Sequence, residues 1–447
     1  MADQNKIEER NIVIQGVTEK TITVVVDGKT QEIEKKLDVL QALMEQLSAK
    51  SFQTAGNIYN IGNINNATFG LTMARAGEDK SLPAELKQNL LGEGDKWIRS
   101  LERALIKEEI SVSDEPLEIF QKYDWLIQAF LQKMCTPAGQ EKTLRRLSFM
   151  AETYQASLRY LCYIQMTQVL QMENKPKQGI ISDFIQMEGN RYLDFDYAGL
   201  LLTTTDLLGQ NTFMKEINIF AEKLNNNESD LFGSVLYLED QRRKLMANKI
   251  AEDEKLPGLL DEYLTALVCW LKELSFLANY RLVSIKEINL NYRLGTTENY
   301  LHRYGELHSM YNDGGVSDKS KSIQIKGSFT FSKSVLLFKG NVLDASLKNL
   351  KDKTTYLSLS PLLIDKSVYA DENTKQTPEI FYYTGYEKAG RQYNYAQLNK
   401  ELTFTGKEDN VKYPPLTVKE TNTNLSGLDE LFAQLNEVFK PFKNKQA

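Results

Sequence analysis

Histidine is almost missing from this chain, with two in 447 residues, and the three cysteines include no CxxC pair. Cys135, Cys162 and Cys269 stand far apart, odd in number and in apolar helical surroundings. The expectation is free thiols in a reducing compartment, not a disulfide framework. So few imidazoles and thiols exclude a Cys/His zinc site, and neither metal nor cofactor is expected. A basic excess is also lacking: 54 Lys and Arg face 60 Asp and Glu, a net charge of −6. A protein living mainly on phosphate contacts shows the opposite balance. Long hydrophobic runs are absent. The best, Ala266 to Leu271, falls far short of the roughly 20 residues of a membrane span. The opening MADQNKIEER has no apolar core of a secretory signal, so a cytoplasmic protein that does not engage a membrane is expected. The chain has no GxxxxGK[ST] loop, no GxGxxG after a strand, no GxSxG elbow and no HExxH.

What is present divides into three stretches. Residues 12–33 read as a β-hairpin. Thr21 to Val26 is β-branched throughout, Asp27-Gly28 suits a two-residue turn with positive φ, and Lys29 to Ile33 returns. A helix is expected from about Glu34 to Lys50, with Leu37, Leu40, Met44 and Leu47 forming one narrow stripe at spacings of 3, 4 and 3. Two heptads are too few for a coiled coil alone, so the stripe docks on its own chain or on another molecule. Residues 56–70 place Asn57, Asn60, Asn63 and Asn66 every third position, with Ile58, Ile61 and Ile64 each following an Asn. Period three is neither strand nor helix. A segment that docks on a partner or a neighbouring copy fits it, and a solvated linker is the alternative.

Helices then dominate from residue 71 to about 282. The clearest spans about Glu141 to Met172, where Leu144, Leu147, Ala151, Tyr154, Leu158 and Leu161 alternate spacings of 3 and 4. Flanking Met150, Tyr160, Tyr163 and Ile164 widen its apolar face, which places it centrally in a bundle. Further helices read at about 195–208, 212–225, 228–250 and 257–279. From residue 283 to 447 short alternating segments, including 283–285, 288–294, 300–311, 322–331, 335–338, 356–359 and 380–384, suggest a small antiparallel β domain. An amphipathic helix at 425–440 closes it, with Ser426 as N-cap and Asp429 and Glu430 near the positive end of the dipole. The fold class is α+β: an N-terminal hairpin and helix (1–70), an all-α bundle (71–282) and a strand-rich C-terminal part (283–447).

Few residues invite chemistry. Asp194-Phe195-Asp196 pairs two carboxylates, but with no third acid in view it reads as a helix start rather than a metal site. Arg303 and His308 have the R-x4-H spacing of metal-independent ribonucleases, in which arginine steadies phosphate and histidine moves a proton. Tyr304 and Gly305 inside the motif depart from that pattern, and two partly exposed histidines on a sheet, His302 and His308, are the plain alternative. Tyr382, Tyr383, Tyr386, Tyr393 and Tyr395, beside Lys388 and Arg391, suit either base stacking or the packing of a sheet edge.

Leu236 to Ala247, the string LYLEDQRRKLMA, resembles the motif-bearing helix of HEPN-type domains in bacterial conflict proteins. Arg242 matches the motif's arginine, while Arg243 stands where its asparagine belongs and Ala247 where its histidine belongs. Tyr356 to Asp365 (YLSLSPLLID) is similar to a segment near the end of such proteins, and GNIYNIGNINNATFG resembles leader segments that couple sensors to effectors. The resemblance implies a degenerate helical domain in an anti-phage defence system, with a non-enzymatic adaptor, scaffold or sensor role. Partner contact would run through Leu37, Leu40, Met44, Leu47, Ile58, Ile61 and Ile64. The alternatives are a HEPN-type ribonuclease and an RNA- or DNA-binding module.

Overall fold

The computed structural model describes the strands 12–17, 21–26, 29–34, 52–54 and 57–59. It also describes residues 96–112, 116–123, 125–174, 176, 179–226, 228–307, 321–340, 347, 350–369, 378–397, 415–420 and 427–442. The fold is α+β. The chain forms two compact units, Met1–Pro83 and Ala84–Ala447.

In the first unit β1 (Ile12–Val17), β2 (Thr21–Val26), β3 (Lys29–Glu34), β4 (Phe52–Thr54) and β5 (Asn57–Tyr59) form one sheet in the order β3-β2-β1-β4-β5. Val26 pairs with Lys29 across Asp27-Gly28, the register that a two-residue hairpin loop imposes. The expected hairpin is therefore part of a larger sheet, in which β1 runs antiparallel to β2 and parallel to β4. The expected helix up to Lys50, with Leu37, Leu40, Met44 and Leu47, lies outside the described residues, as do Ile61 and Ile64. Glu34, expected to begin that helix, ends β3.

The second unit begins with helices α1 (Lys96–Lys107), α2 (Pro116–Lys122), α3 (Trp125–Met134), α4 (Pro137–Gln140) and α5 (Leu144–Gln171). It continues through α6 (Gly179–Ile185), α7 (Tyr197–Leu208), α8 (Glu216–Leu224), α9 (Asp230–Met246) and α10 (Leu256–Glu273). Helix α5 is buried on every side from Phe149 to Thr167, as its wide apolar face requires, and α3, α7, α9 and α10 pack around it. Its Thr153 and Ser157 hydroxyls donate back to the carbonyls of Phe149 and Thr153, which satisfies them without water. The Trp270 indole of α10 donates to Ser157 Oγ at 2.8 Å and meets Tyr154 and Phe220 edge-on, at 5.0 and 5.2 Å between ring centroids. Such ring pairs contribute about 0.5–1.5 kcal/mol each beyond their buried area.

Two sheets follow. Strands β6 (Tyr280–Asn291), β7 (Asn299–Glu306), β8 (Lys321–Lys326), β9 (Ser334–Lys339) and β10 (Tyr356–Ser358) are ordered β10-β9-β6-β7-β8. Strands β11 (Leu363–Asp365), β12 (Ile380–Glu387), β13 (Gln392–Gln397) and β14 (Leu416–Val418) are ordered β11-β12-β13-β14. The segments expected at 283–285 and 288–294 belong largely to one strand, β6, interrupted by an irregularity between Ile285 and Glu287. Helix α11 (Leu428–Phe439) closes the unit, burying Leu428, Leu431, Leu435 and Phe439. Its cap is Gly427 at φ 84°, not Ser426, which lies outside the described residues. Asp429 and Glu430 sit in its first turn.

Residues 356–365 carry the chain from one sheet to the other, and all but Ser360 are buried. Ser360 Oγ accepts from the Val335 amide at 3.0 Å and donates to the Leu363 carbonyl at 2.8 Å. The Asp365 carboxylate ends the passage, accepting from Ser284 Oγ on β6 at 2.7 Å and from the amides of Ser367 and Glu379 at 2.9 Å. The second sheet docks on the bundle through β12. Gly385, at φ 147°, lets the backbone approach Met187, whose carbonyl accepts from the Tyr386 amide at 2.8 Å.

Two predictions follow from this packing. A Cβ at position 385 would lie 2.0 Å from the Met187 carbonyl oxygen, so Gly385→Ala lowers the unfolding free energy by about 3 kcal/mol, read from urea denaturation. Burial raises the Asp365 carboxyl pKa, against hydrogen bonds from Ser284, Ser367 and Glu379 that lower it. The native state then holds this proton more tightly than the unfolded chain. Its stabilising contribution is complete below the ordinary carboxylate value of about 3.9 and is lost as pH rises through the folded value. Urea midpoints of the wild type therefore fall with rising pH relative to those of Asp365→Asn.

Candidate functional site

A dense polar constellation inside the second unit surrounds Arg159, at the middle of α5, where the bundle meets β12. Arg159 is 6% exposed. Its Nη1 donates to the Tyr382 hydroxyl at 3.0 Å and its Nη2 to the Tyr192 carbonyl at 3.1 Å. The rings of Tyr192, Tyr197 and Tyr382 surround the guanidinium, with centroids 5.5, 5.1 and 5.2 Å away. Burial alone would lower its pKa, but the oxygens of Tyr382, Tyr197, Tyr163 and Tyr192 outweigh that and the net direction is up. The phenols move up as well, chiefly because burial penalises the phenolate. The site thus holds a guanidinium among phenols that burial keeps protonated.

A second buried arginine lies nearby. Arg242, on α9, is 2% exposed and its donors are committed. Nη2 and Nε reach Glu239 Oε2 at 2.9 and 3.2 Å, and Nη1 reaches the Leu193 carbonyl at 2.8 Å and Met246 Sδ at 2.9 Å. Gln155 Nε2 donates to the same Leu193 carbonyl at 3.0 Å. Arg159, Gln155 and Arg242 therefore pin the segment leading into α7 from two helices, and Arg242 is not open to a phosphate. Arg243 points outward at 63% exposure, and Ala247 is the C-cap of α9. Asp196 caps α7 by accepting from the Gly199 amide at 2.9 Å, the helix-start role read from the sequence. Asp194 stands 3.8 Å from Arg242.

Arg303 is exposed on β7 and pairs with Glu287 at 3.3 Å. His308 lies outside the described residues. His302 is fully buried, contrary to the expectation of partial exposure. It lies opposite Ile288 and Ile323, and its Nδ1 contacts the Tyr300 carbonyl at 3.1 Å. Burial lowers its pKa against the pull of that carbonyl, which favours the neutral ring.

The tyrosines expected at a sheet edge are mostly core. Tyr382, Tyr383, Tyr393 and Tyr395 are buried, with Tyr383 Oη donating to the Ile185 carbonyl at 2.6 Å and Tyr395 Oη to the Pro361 carbonyl at 2.8 Å. Tyr393 Oη donates to Asn436 of α11 at 2.7 Å. These four cannot stack on bases, because their rings are buried. Tyr386 alone of the five is partly exposed.

All three cysteines are free thiols, with Cys135 and Cys162 buried and Cys269 partly so. Among the described residues no group of three or more His, Cys, Asp or Glu could hold a metal ion, and no helix is long and apolar enough to cross a membrane. The chain matches no family model, no curated protein and no solved structure.

Sequence reasoning missed Arg159. The signal was a lone arginine between Leu158 and Tyr160 in a helix apolar on all sides, where a charge must find internal partners. Arg159→Ala removes two charged hydrogen bonds and the ring contacts and lowers stability by about 3 kcal/mol in chemical denaturation. Arg159→Lys recovers less than half of that, because an ammonium does not span both oxygens.

Proposed function

We propose that the chain is a non-enzymatic interaction protein, an adaptor, scaffold or sensor of a bacterial anti-phage defence system, with residues 1–70 docking a protein partner or another copy. The observation that carries this reading is the place of Asn57-Ile58-Tyr59. The start of the Asn-repeat is β5, an edge among the described strands of the first unit's sheet. An edge strand offers unpaired backbone groups to a further strand, and alternate side chains then set the choice of partner. Ile58 belongs to that edge. Leu37, Leu40, Met44, Leu47, Ile61 and Ile64 extend the candidate surface on the sequence pattern alone. The defence setting rests on the resemblance of the Arg242 helix, the Tyr356–Asp365 string and the Asn-repeat.

The internal commitments of Arg159 and Arg242 agree with a scaffold. A second reading, a HEPN-type ribonuclease using Arg303 and His308, draws on the exposure of Arg303. A nucleic-acid-binding sheet loses four of its five candidate tyrosines to the core.

Deletion of residues 1–70 distinguishes these readings. Mass measurement and pull-down of the full chain against the truncated form should show loss of self-assembly or partner capture, while RNA incubated with wild type and with His308→Ala stays intact in both. Unchanged assembly and capture would overturn the docking role, and cleavage by wild type but not by His308→Ala would establish the ribonuclease.

A further inference from the structure

Strand β6 is held differently along its length. Up to Ile285 it pairs with β9, and from Val283 with β7 as well. Beyond the irregularity between Ile285 and Glu287 it pairs with β7 alone. Glu287–Asn291, Asn299–Arg303 of β7 and Ser322–Lys326 of β8 therefore form a flap that extends past β9. Its cover thins toward the tip, where Leu290 is 57%, Leu294 95%, Phe329 59% and Phe331 56% exposed. A part of a sheet with few covered contacts opens at lower cost than the whole unit unfolds.

His302 sits at the root of this flap, one register beyond the Glu287–Arg303 pair and between Ile288 and Ile323. Tyr300 and Tyr304 flank it on the same face by strand alternation. The residue is 0% exposed. Its Nδ1 contacts the Tyr300 carbonyl at 3.1 Å, which assigns the proton of the neutral ring to Nδ1. Nε2 is buried with no partner. After β8 the chain has to pass β7 and β6 to reach β9, whose Ser334 lies opposite Ile285. On the way it seats Phe329 on Tyr300, at 4.9 Å between ring centroids, so it crosses the face that His302 occupies. Thr330 of this crossing is buried, and its hydroxyl and that of Ser328 are also without a partner.

A second proton on the imidazole places a charge at Nε2, and the surroundings offer it nothing. On β6, Glu287 is paired with Arg303, and Lys286 stands at the irregularity. On β8, Lys321 lies opposite Tyr304, on His302's face by alternation, and Lys326 alternates to the other face. Glu298 and Glu306 are each four positions away along the chain, about 13 Å in an extended strand. At the end of the crossing, Lys333 lies over the Tyr369 ring. Leu347 and Leu350 complete the covered cluster, and the neighbouring Lys351 is exposed. Among the described residues no carboxylate shares the register of His302. Burial lowers the imidazole pKa, so the stabilisation from the neutral ring is complete above the ordinary value of about 6.5. It is lost as pH falls from there through the lower folded value.

We propose that His302 is an acid-sensitive latch: neutral, it keeps the flap paired beneath the crossing segment, and on gaining a proton it releases the pairing beyond Ile285. The irregularity between Ile285 and Glu287 is the hinge. Opening bares the apolar face of Ile288, Ile323 and Ile325 and leaves the inner sheet and the bundle in place. Every residue involved lies in the second unit, so the inference goes beyond the docking role of residues 1–70 and is tested apart from it.

The test is native-state hydrogen exchange of the full-length protein, read by mass spectrometry at pH values of about 8 and about 5 and corrected for the intrinsic pH dependence of exchange. Protection of 287–303 and 321–326 should fall at least about fivefold at the lower pH, while 280–285 and 334–339 keep theirs. His302→Phe should abolish the acid effect, and His308→Gln should leave it intact. Because the chain has only two histidines, His308→Gln also leaves one imidazole, whose proton resonances should titrate below the ordinary value. Equal corrected protection of the flap at both pH values, an equal loss in the inner sheet, persistence of the effect in His302→Phe or titration of His302 at or above the ordinary value would each overturn the proposal. The wild-type comparison of flap and inner sheet needs no variant, so it decides the matter even if His302→Phe disturbs folding.

Discussion

A helix with no wet side has to draw the partners of its polar groups from within the protein, and much of the second unit is arranged around that demand. Helix α5 brings Glu152, Thr153, Gln155, Ser157, Arg159 and Gln165 into the interior. The short hydroxyls bond to their own backbone, which costs nothing in architecture. The long groups need partners from elsewhere. Gln165 takes the hydroxyls of Thr205 and Thr212, Gln155 takes the Leu193 carbonyl, and Arg159 takes Tyr382 and Tyr192. Leaving such a group unpaired costs several kcal/mol, a large part of a domain's net stability, so these bonds specify where the segment before α7 and strand β12 sit. The small sheet is oriented by what α5 requires as much as by its own apolar face.

That dependence explains which features could be read in advance. The bundle was legible because its helices keep a 3.6-residue period, and the central one was recognisable from apolar residues on several faces; its observed bounds, Leu144–Gln171, fall inside the expected span. The pairing of Val26 with Lys29 was legible because Asp27-Gly28 suits a two-residue hairpin loop. The tyrosine-bearing strand was not. Period-two reasoning assumes one covered face, but β12 is buried on both from Ile380 to Gly385, so a strand that looked like a half-exposed edge is core. Nor did local pattern show that the strand-rich third would form two sheets joined by a buried passage. That arrangement depends on Asp365 meeting Ser284, a contact no local window contains.

The candidate residues divide in the same way. Arg242 could be picked out by its place in a helix resembling a known motif, yet whether an arginine faces a cleft or the core is decided by the carbonyl of Leu193 and the carboxylate of Glu239, one of them far away in sequence. The exposed hairpin end escaped notice for the opposite reason. Leu290, Leu294, Phe329 and Phe331 have the composition of interior residues, and no local pattern says that they stay exposed.

The contacts that weld the sheets to each other and to the bundle span long stretches of chain. The Ser284–Asp365 bond closes 81 residues, Tyr163 to Tyr383 closes 220, and Arg159 to Tyr382 closes 223. Helices can organise from neighbours, but these closures require that distant parts meet before any reward is collected. During synthesis the bundle emerges well before the residues that its arginine waits for, so α5 spends that interval with a charged middle and incomplete cover.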